Sequence, residues 1–328
     1  MAADEIDIAF GINDAYVPHL SAVVTSIVRH APDARLRFII LHDGVSHARR
    51  KLVEGTAPSS QFIWAEVDDA DVPEFVDHSH FNRTTLFRFQ LETLAPPDCR
   101  RLIYLDTDVI VLSDVRELWA IDLGDAAVGA VIDGGAAVDR VVVPADFAAR
   151  WRLPAPYSYF NAGVLLIDLR RVRAGELFSA AAQFFAKNRR SLPFNDQDAL
   201  NWKFWGRWKS LPPTWNAQLD MVVPWLSQNL PQHLQFHNRL PALVHFTGAG
   251  KPWTAGSYHP WAWIYWENLA RTPFLQEVAA ASGIGVYRRM RIWLRWMRRR
   301  PPCSRLPEAR RAASNRALWW EQASRKRT

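Results

Sequence analysis

The sequence predicts an α/β layered fold. Over the first 130 residues, short runs of strand formers alternate with stretches of helical spacing, and such alternation favours helices packed on a sheet. The runs LIYL (102–105) and VIVL (109–112) are apolar throughout, as suits a central buried strand. With 49% hydrophobic and 22% charged residues in 328, the chain has the composition of a globular protein, not a disordered one. It is long enough for one large domain or two modest ones.

Taken in order, IDIAF (6–10) reads as a strand, PHLSAVVTSIVRHA (18–31) as a helix and LRFIILHDG (36–44) as a second strand. SHARRKLVEG suggests a helix and QFIWAEV (61–67) a third strand. RTTLFRFQLETLAP (83–96) looks helical and is stopped by Pro96 and Pro97. It feeds the strand that carries DTD. AAVGAVID (126–133) and YFNAGVLLIDL (159–169) are further strands, with an irregular loop expected between them. NDQDALNWKFWG begins a helix that runs into an aromatic segment, Trp202, Phe204, Trp205, Trp208 and Trp215, read mainly as core. PALVHF is a last strand, followed by a glycine-rich turn.

Cys99 and Cys303 match no zinc or redox spacing, so no disulfide framework is implied and a reducing cytosol fits. The start MAADEIDIAF lacks the features of a secretory signal, and no 18-residue uncharged apolar run occurs. Neither export by that route nor a membrane span is therefore expected.

Asp106 and Asp108 end the strand RRLIYL with one threonine between them. Two charges beside a core lose several kcal/mol of solvation unless something compensates them. In an extended chain, residues i and i+2 share a face. Both carboxylates can thus grip one divalent cation whose free positions hold a diphosphate. A solvated turn after a strand is the plain alternative for a bare DxD. His245 ends the run PALVH, where a satisfied core histidine is the common case. Beginning three residues on, GAGKPW supplies glycines that let backbone N–H groups approach a phosphate, and Lys251 as a point charge. Two carboxylates and an imidazole suit Mn2+ or Mg2+, the imidazole tilting the choice toward manganese.

LDTDVIV, YFNAGVLLIDL, NDQDALN and HFTGAGKPW, in that order, resemble the signature blocks of the family 8 retaining glycosyltransferases. That family includes bacterial lipopolysaccharide α-glycosyltransferases and glycogenin. The resemblance covers residues 6–263 and implies a GT-A fold, a Rossmann-like mixed sheet flanked by helices. It also implies a UDP-hexose donor, a Mn2+ (or Mg2+) cofactor and transfer with retained configuration. The implied metal ligands are Asp106, Asp108 and His245. The nucleotide falls on the first βα turn, with Tyr16 to stack on the base, Asn13 to hydrogen-bond its edge, and Gly11 and Ile12 beside them. The family commonly has an aspartate followed by Asp and Asn there, whereas this chain has Asn13, Asp14 and Ala15. Arg88, Thr107, Gly248 and Lys251 are implied at the diphosphate or sugar, and Asp133, Asn161, Ala162 and Gly163 at the donor sugar.

By the same resemblance Asp196 and Gln197 lie near the anomeric carbon as the catalytic pair. Asn195 and Asp196 would also serve as helix caps. Retaining glycosidases use a carboxylate nucleophile, and Gln197 is a poor one. The expected reaction is therefore front-faced, with the leaving phosphate deprotonating the incoming hydroxyl.

Residues 284–328 hold 14 Lys and Arg against 2 Asp and Glu, while residues 1–283 hold 26 against 31. On a helix, Val286, Met290, Trp293 and Met297 form one stripe with Tyr287 and Leu294 beside it, and Ile292 falls among the arginines. A helix of this kind suits an anionic membrane interface. Docking on the catalytic domain is an alternative. Nucleic acid is not expected, because an apolar stripe is wasted on a phosphate backbone. The expected organisation is a GT-A catalytic domain over 1–265, nucleotide-sugar half first and acceptor half second, then a basic membrane-associating helical tail over 266–328.

The expected function is transfer of a hexose, glucose or galactose, to a saccharide acceptor. A lipid-linked acceptor, as in lipopolysaccharide synthesis, places the enzyme peripherally on the inner face of a bacterial cytoplasmic membrane. Two alternatives stand beside this: a soluble α-glucosyltransferase acting on protein or free sugar, and a non-catalytic nucleotide-sugar binding module.

Overall fold

A seven-stranded mixed sheet forms the centre of the molecule, its strands being Ile6–Ile12 (β1), Leu36–His42 (β2), Gln61–Glu66 (β3), Arg101–Leu105 (β4), Val128–Ile132 (β6), Phe160–Asp168 (β7) and Lys209–Ser210 (β8). The order across it is β3-β2-β1-β4-β7-β6-β8. Val109–Val111 (β5) and Leu243–His245 (β9) make a second, two-stranded sheet. The structure is a computed structural model that describes residues 5–298, apart from 69, 71, 74–82, 140–141, 157, 237–239 and 255–258.

Strand alternation divides the core between the two faces of the sheet. Ile8, Phe10, Ile103, Leu105, Val164 and Leu166 join one apolar cluster, while Ala9, Leu102, Tyr104, Leu165 and Ile167 join the other. Period-two side chains buried on both sides read as continuous apolar runs, which is why these strands were legible in the sequence.

β1 runs parallel to both β2 and β4. The chain leaves β1 for β2 and β3 on one side, then returns to β4 on the other. A crevice opens at the carboxyl ends of strands where the order reverses in this way. The turn after β1 and the DTD after β4 both lie at that edge.

Several elements differ from the sequence reading. VIVL does not continue the central strand: the chain turns at Thr107 and Asp108, and β5 pairs antiparallel with β9, Val109 opposite His245. Residues 83–96 form a 3-10 helix, Arg83–Gln90, and one α turn, Leu91–Leu94. The 3-10 geometry eclipses i and i+3, and the Arg88 Nε donates to the Thr85 carbonyl at 3.0 Å. The expected loop between β6 and β7 contains a helix, Pro144–Trp151, that opens on proline. It closes a small cluster in which Phe147 lies against Tyr159 and Trp205.

The aromatic segment is packing, as expected. Phe204, Trp205 and Trp215 are buried, Trp202 stacks on Phe184 at 3.9 Å, and Trp208 packs on Phe160.

The helix Ala262–Leu269 is buried along its whole length and runs across residue 265. It carries the helix Val286–Arg298 against it. Arg289, from the arginine-rich face, is buried over the Trp266 ring, and Ile292 packs with Trp293 on the core. Val286 and Tyr287 stay exposed. Residues 299–328, and the Met297 side chain of the expected stripe, lie outside the described residues. No helix among the described residues is long and apolar enough to cross a membrane.

Candidate active site

The crevice at the ends of β1 and β4 is a cleft of about 310 Å³, walled by Gly11, Tyr16, Arg88, Asp106, Thr107, Asp108, Asp133, Asn161, Ala162, Gly163, Asp196, Gln197, His245, Gly248 and Lys251. Nearly all the residues singled out from the sequence thus converge. Ile12 and Asn13 do not line the wall. Successive side chains of a strand point to opposite faces, so Ile12 turns into the core when Gly11 faces the cleft.

Asp106, Asp108 and His245 offer ligand atoms that all lie within 4.8 Å of one another. The imidazole comes from 139 residues beyond Asp106 through the β5–β9 pairing, and the Phe246 N–H donating to the Asp108 carbonyl at 2.8 Å holds the register. His245 Nε2 lies 3.2 Å from Asp108 Oδ1 and 4.0 Å from Asp106 Oδ2. Lys251 donates to the second oxygen of Asp108 and, at 2.8 Å, to the Phe246 carbonyl. Burial alone would raise the Asp108 pKa, but Lys251 and His245 outweigh it and hold the carboxyl well below the usual range.

This donor set fits a divalent cation, pairing hard carboxylate oxygens with an imidazole nitrogen. Gly163 bears on the same geometry. A Cβ there would sit 2.2 Å from His245 Cε1 and 2.8 Å from Asp106 Oδ2, so the absence of a side chain is what leaves His245 and Asp106 room to approach. Gly163 lies on β7 where its pairing with β6 slips: Ala130 faces Leu165, but Val131 faces Asn161. Such irregularities re-aim side chains beside sites.

Arg88 is almost wholly buried and joins both halves of the cleft. It donates to Asp106 Oδ1 at 2.9 Å, lies 3.0 Å from Asp196 Oδ2, donates to the Ala162 carbonyl, and sits over the Tyr104 ring. Burial would lower its pKa, but Asp106 and Asp196 more than compensate and keep it charged. Burial pushes Asp196 up to about 6, with Arg88 opposing and Asp106 adding to the rise. Asp198 is likewise pushed up to about 6 by burial, opposed by the Tyr159 hydroxyl.

The helix Asn195–Phe204 presents Asp196 and Gln197 to the cleft. Its cap is neither Asn195 nor Asp196: Asp198 reaches back to accept the Phe194 N–H at 2.8 Å. Asn201 pins the helix to β7 through both the N–H and the carbonyl of Phe160. Gln197 accepts the Ala162 N–H at 3.0 Å and donates to Asp133 at 3.4 Å.

The wall also contains Thr84, Thr85, Tyr104, Phe194, Gln218, Leu219, Asp220 and Thr247, which sequence reasoning missed. Tyr104 could have been found, since it shares a strand face with Asp106 two residues on and donates to it at 3.0 Å. Gln218 and Asp220 carried no local signal.

The model of the family described as Glycosyl transferase family 8 matches residues 7–256. The chain belongs to glycosyl transferase family 8. It is similar to the General stress protein A of Bacillus subtilis (strain 168), 27% identical over 283 residues that span 83% of this chain and 96% of that protein. It is also similar to the lipopolysaccharide 1,2-glucosyltransferase of Escherichia coli (strain K12), 27% identical over 280 residues, 83% of this chain and 80% of that one. Among solved structures, the galactosyltransferase LgtC in complex with donor and acceptor sugar analogs superposes with a TM-score of 0.71 at 26% identity. The match covers 84% of this chain and all of LgtC. The family 8 chain is accordingly a hexosyltransferase, and its mixed sheet with flanking helices is the GT-A fold.

Proposed function

We propose that this family 8 enzyme transfers a hexose, glucose or galactose, from a UDP-sugar to a saccharide acceptor with retained configuration. The observation that carries the reading is the convergence of Asp106, Asp108 and His245 at one edge of a cleft that also holds Arg88, Lys251, Asp196 and Gln197. Asp106, Asp108 and His245 would hold Mn2+ or Mg2+. When bound, such an ion neutralises charge on a departing diphosphate, an effect worth several kcal/mol.

The chain's own residues supply the rest. Lys251 and Gly248 border the phosphate side, and Tyr16 offers a ring for the base. Asn13 Oδ1 is buried without a hydrogen-bond partner among the described residues, an acceptor that a base N–H would satisfy. Asp133, Asn161, Ala162 and Gly163 face the sugar. The bond between the anomeric carbon and the UDP oxygen breaks, with its electrons going to the phosphate. That oxygen then takes the proton of the acceptor hydroxyl as the new glycosidic bond forms on the same face.

The contacts of the catalytic pair support this front-face route over a covalent one. Gln197 Oε1 is engaged by the Ala162 N–H, and Asp196 is held by Arg88, so both orient and stabilise instead of attacking. A glutamine in the active site is a feature shared with LgtC, solved as an active-site mutant with glutamine replaced by glutamate; this cleft presents Gln197 and Gln218.

A lipid-linked acceptor, as in lipopolysaccharide synthesis, is supported by the relative that acts on lipopolysaccharide. The basic composition of 284–328 and the exposed Val286 and Tyr287 point the same way, toward an anionic membrane surface. UDP release across a donor panel with Mn2+, measured with and without an extracted membrane glycolipid, tests the whole reading. Release that depends on one UDP-hexose and rises with the glycolipid is expected. Release only with lipid-free acceptors, together with no sedimentation on anionic liposomes, would overturn the lipid-linked part.

Asp196 makes the rate pH-dependent. Its carboxyl, raised from an unfolded value near 3.8 to about 6, is ionised beside Arg88 only above that range. The transfer rate is expected to fall as pH drops through about 6, and Asp196→Asn to remove this acid limb while Asp198→Asn keeps it. Stability runs the other way. A raised carboxyl contributes fully below its unfolded pKa, and the contribution is lost as pH rises through the folded one.

A further inference from the structure

We infer that Asn216, a residue outside the cleft wall, is a positioning residue that fixes the tautomer of His245 and ties the metal end of the site to the sugar end. The inference rests on the proposed role of His245 as a ligand. Asn216 is fully buried. Its Oδ1 lies 2.9 Å from His245 Nδ1, and its Nδ2 donates to Asn161 Oδ1 at 2.9 Å.

The direction of each hydrogen bond follows from the ends of the chain of contacts. Asn161 Nδ2 donates to Asp133 Oδ2 at 3.2 Å, a carboxylate whose other oxygen accepts the Gly135 and Ala136 N–H groups. Asn161 Oδ1 accepts the Gly163 N–H at 3.1 Å. A backbone N–H can only donate and a carboxylate can only accept, so the Asn161 amide has one orientation. It offers Asn216 an acceptor, which must be met by the Asn216 amide nitrogen. The Asn216 oxygen is then turned to His245, where it can only accept. His245 Nδ1 must therefore carry a proton, and the Nε2 lone pair is left for the cation, on the side of Asp106 and Asp108. Partners that orient a ligating histidine in this way set its tautomer and raise its basicity.

The position of Asn216 is itself rigid. The next residue, Ala217, donates to the Leu243 carbonyl at 3.0 Å and accepts the His245 N–H at 3.0 Å. Asn216 and His245 are thus placed by the same short stretch of backbone pairing. On the other side, Asp133 is shared between Asn161 and Gln197, so one run of amides links the imidazole to the glutamine near the reacting carbon. Nothing in the spacing of the sequence connects Asn216 to either end.

Ring 15N shifts of the metal-free protein, labelled at histidine and assigned with His245→Gln, read the tautomer directly. A protonated Nδ1 on His245 is expected in the wild type. In Asn216→Ala that preference is lost, and Mn2+ affinity read by EPR falls about 10- to 100-fold. Asn216→Asp keeps an acceptor facing Nδ1 but loses the donor to Asn161 Oδ1, so it is expected to keep the Nδ1 proton while recovering only part of the affinity. A bare Nδ1 in the wild-type protein overturns the assignment, as does an Asn216→Ala protein with unchanged tautomer and Mn2+ affinity. The wild-type spectrum decides the question even where the alanine variant does not fold. A wild type that binds no Mn2+ defeats the functional reading above while the spectrum still decides this one.

Discussion

Asp108→Ala is expected to slow sugar transfer about a thousandfold or more, an increase of about 4 kcal/mol in the barrier. Three consequences combine at this residue. One of three ligand atoms that lie within 4.8 Å of one another is removed. Lys251 loses the carboxylate it donates to, and His245 Nε2 loses its neighbour at 3.2 Å. Lys251 then faces the space where the cation would sit without its counter-charge, which weakens the site further. Calorimetry separates this effect from unfolding: Mn2+ should tighten UDP binding in the wild type and leave it unchanged in the variant, at a comparable melting temperature. Transfer close to the wild-type rate would remove the metal assignment.

Gly163→Ala should be nearly as damaging, although it deletes nothing. The added methyl would meet His245 Cε1 at 2.2 Å and Asp106 Oδ2 at 2.8 Å, and neither neighbour is a loose side-chain end. His245 is held by Asn216, and Asp106 by Arg88 and Tyr104. Overpacking of this kind costs about 1–3 kcal/mol of stability. A displacement of ligands by about 1 Å costs on the order of a hundredfold in rate. A lowered melting temperature together with at least that loss of turnover is the expected result. A variant that melts and turns over like the wild type would show that the strand can shift without disturbing the ligands.

Much of the site was legible because its chemistry is local. Asp106 and Asp108 stand one residue apart, and although the chain turns at Thr107 and Asp108 instead of running extended, both carboxylates still reach the cleft. Asp196 and Gln197 sit at a helix start, and Gly248 and Lys251 belong to one turn. The central strands were equally readable, since a sheet covered on both faces writes itself as uninterrupted apolar runs. Reading failed where one pattern has two physical solutions. VIVL is as apolar as any central strand, yet it pairs with β9 because the chain turns at Thr107 and Asp108. The arginine-rich face of residues 286–298 suggested solvent or lipid, yet Arg289 lies buried over an indole ring.

Short-range period and spacing encode the class of fold, the residue types of the site and the family, so these could be read from the residues directly. The resemblance already named His245, 139 residues from Asp106, beside the two aspartates, but only strand pairing brings their ligand atoms within 4.8 Å of one another. Tertiary structure likewise decided that a glycine must leave the space between His245 and Asp106 and that a buried asparagine orients the ring. Those are contacts between segments remote in the chain. They depend on strand pairing and packing in three dimensions, for which no local pattern of residues carries a mark.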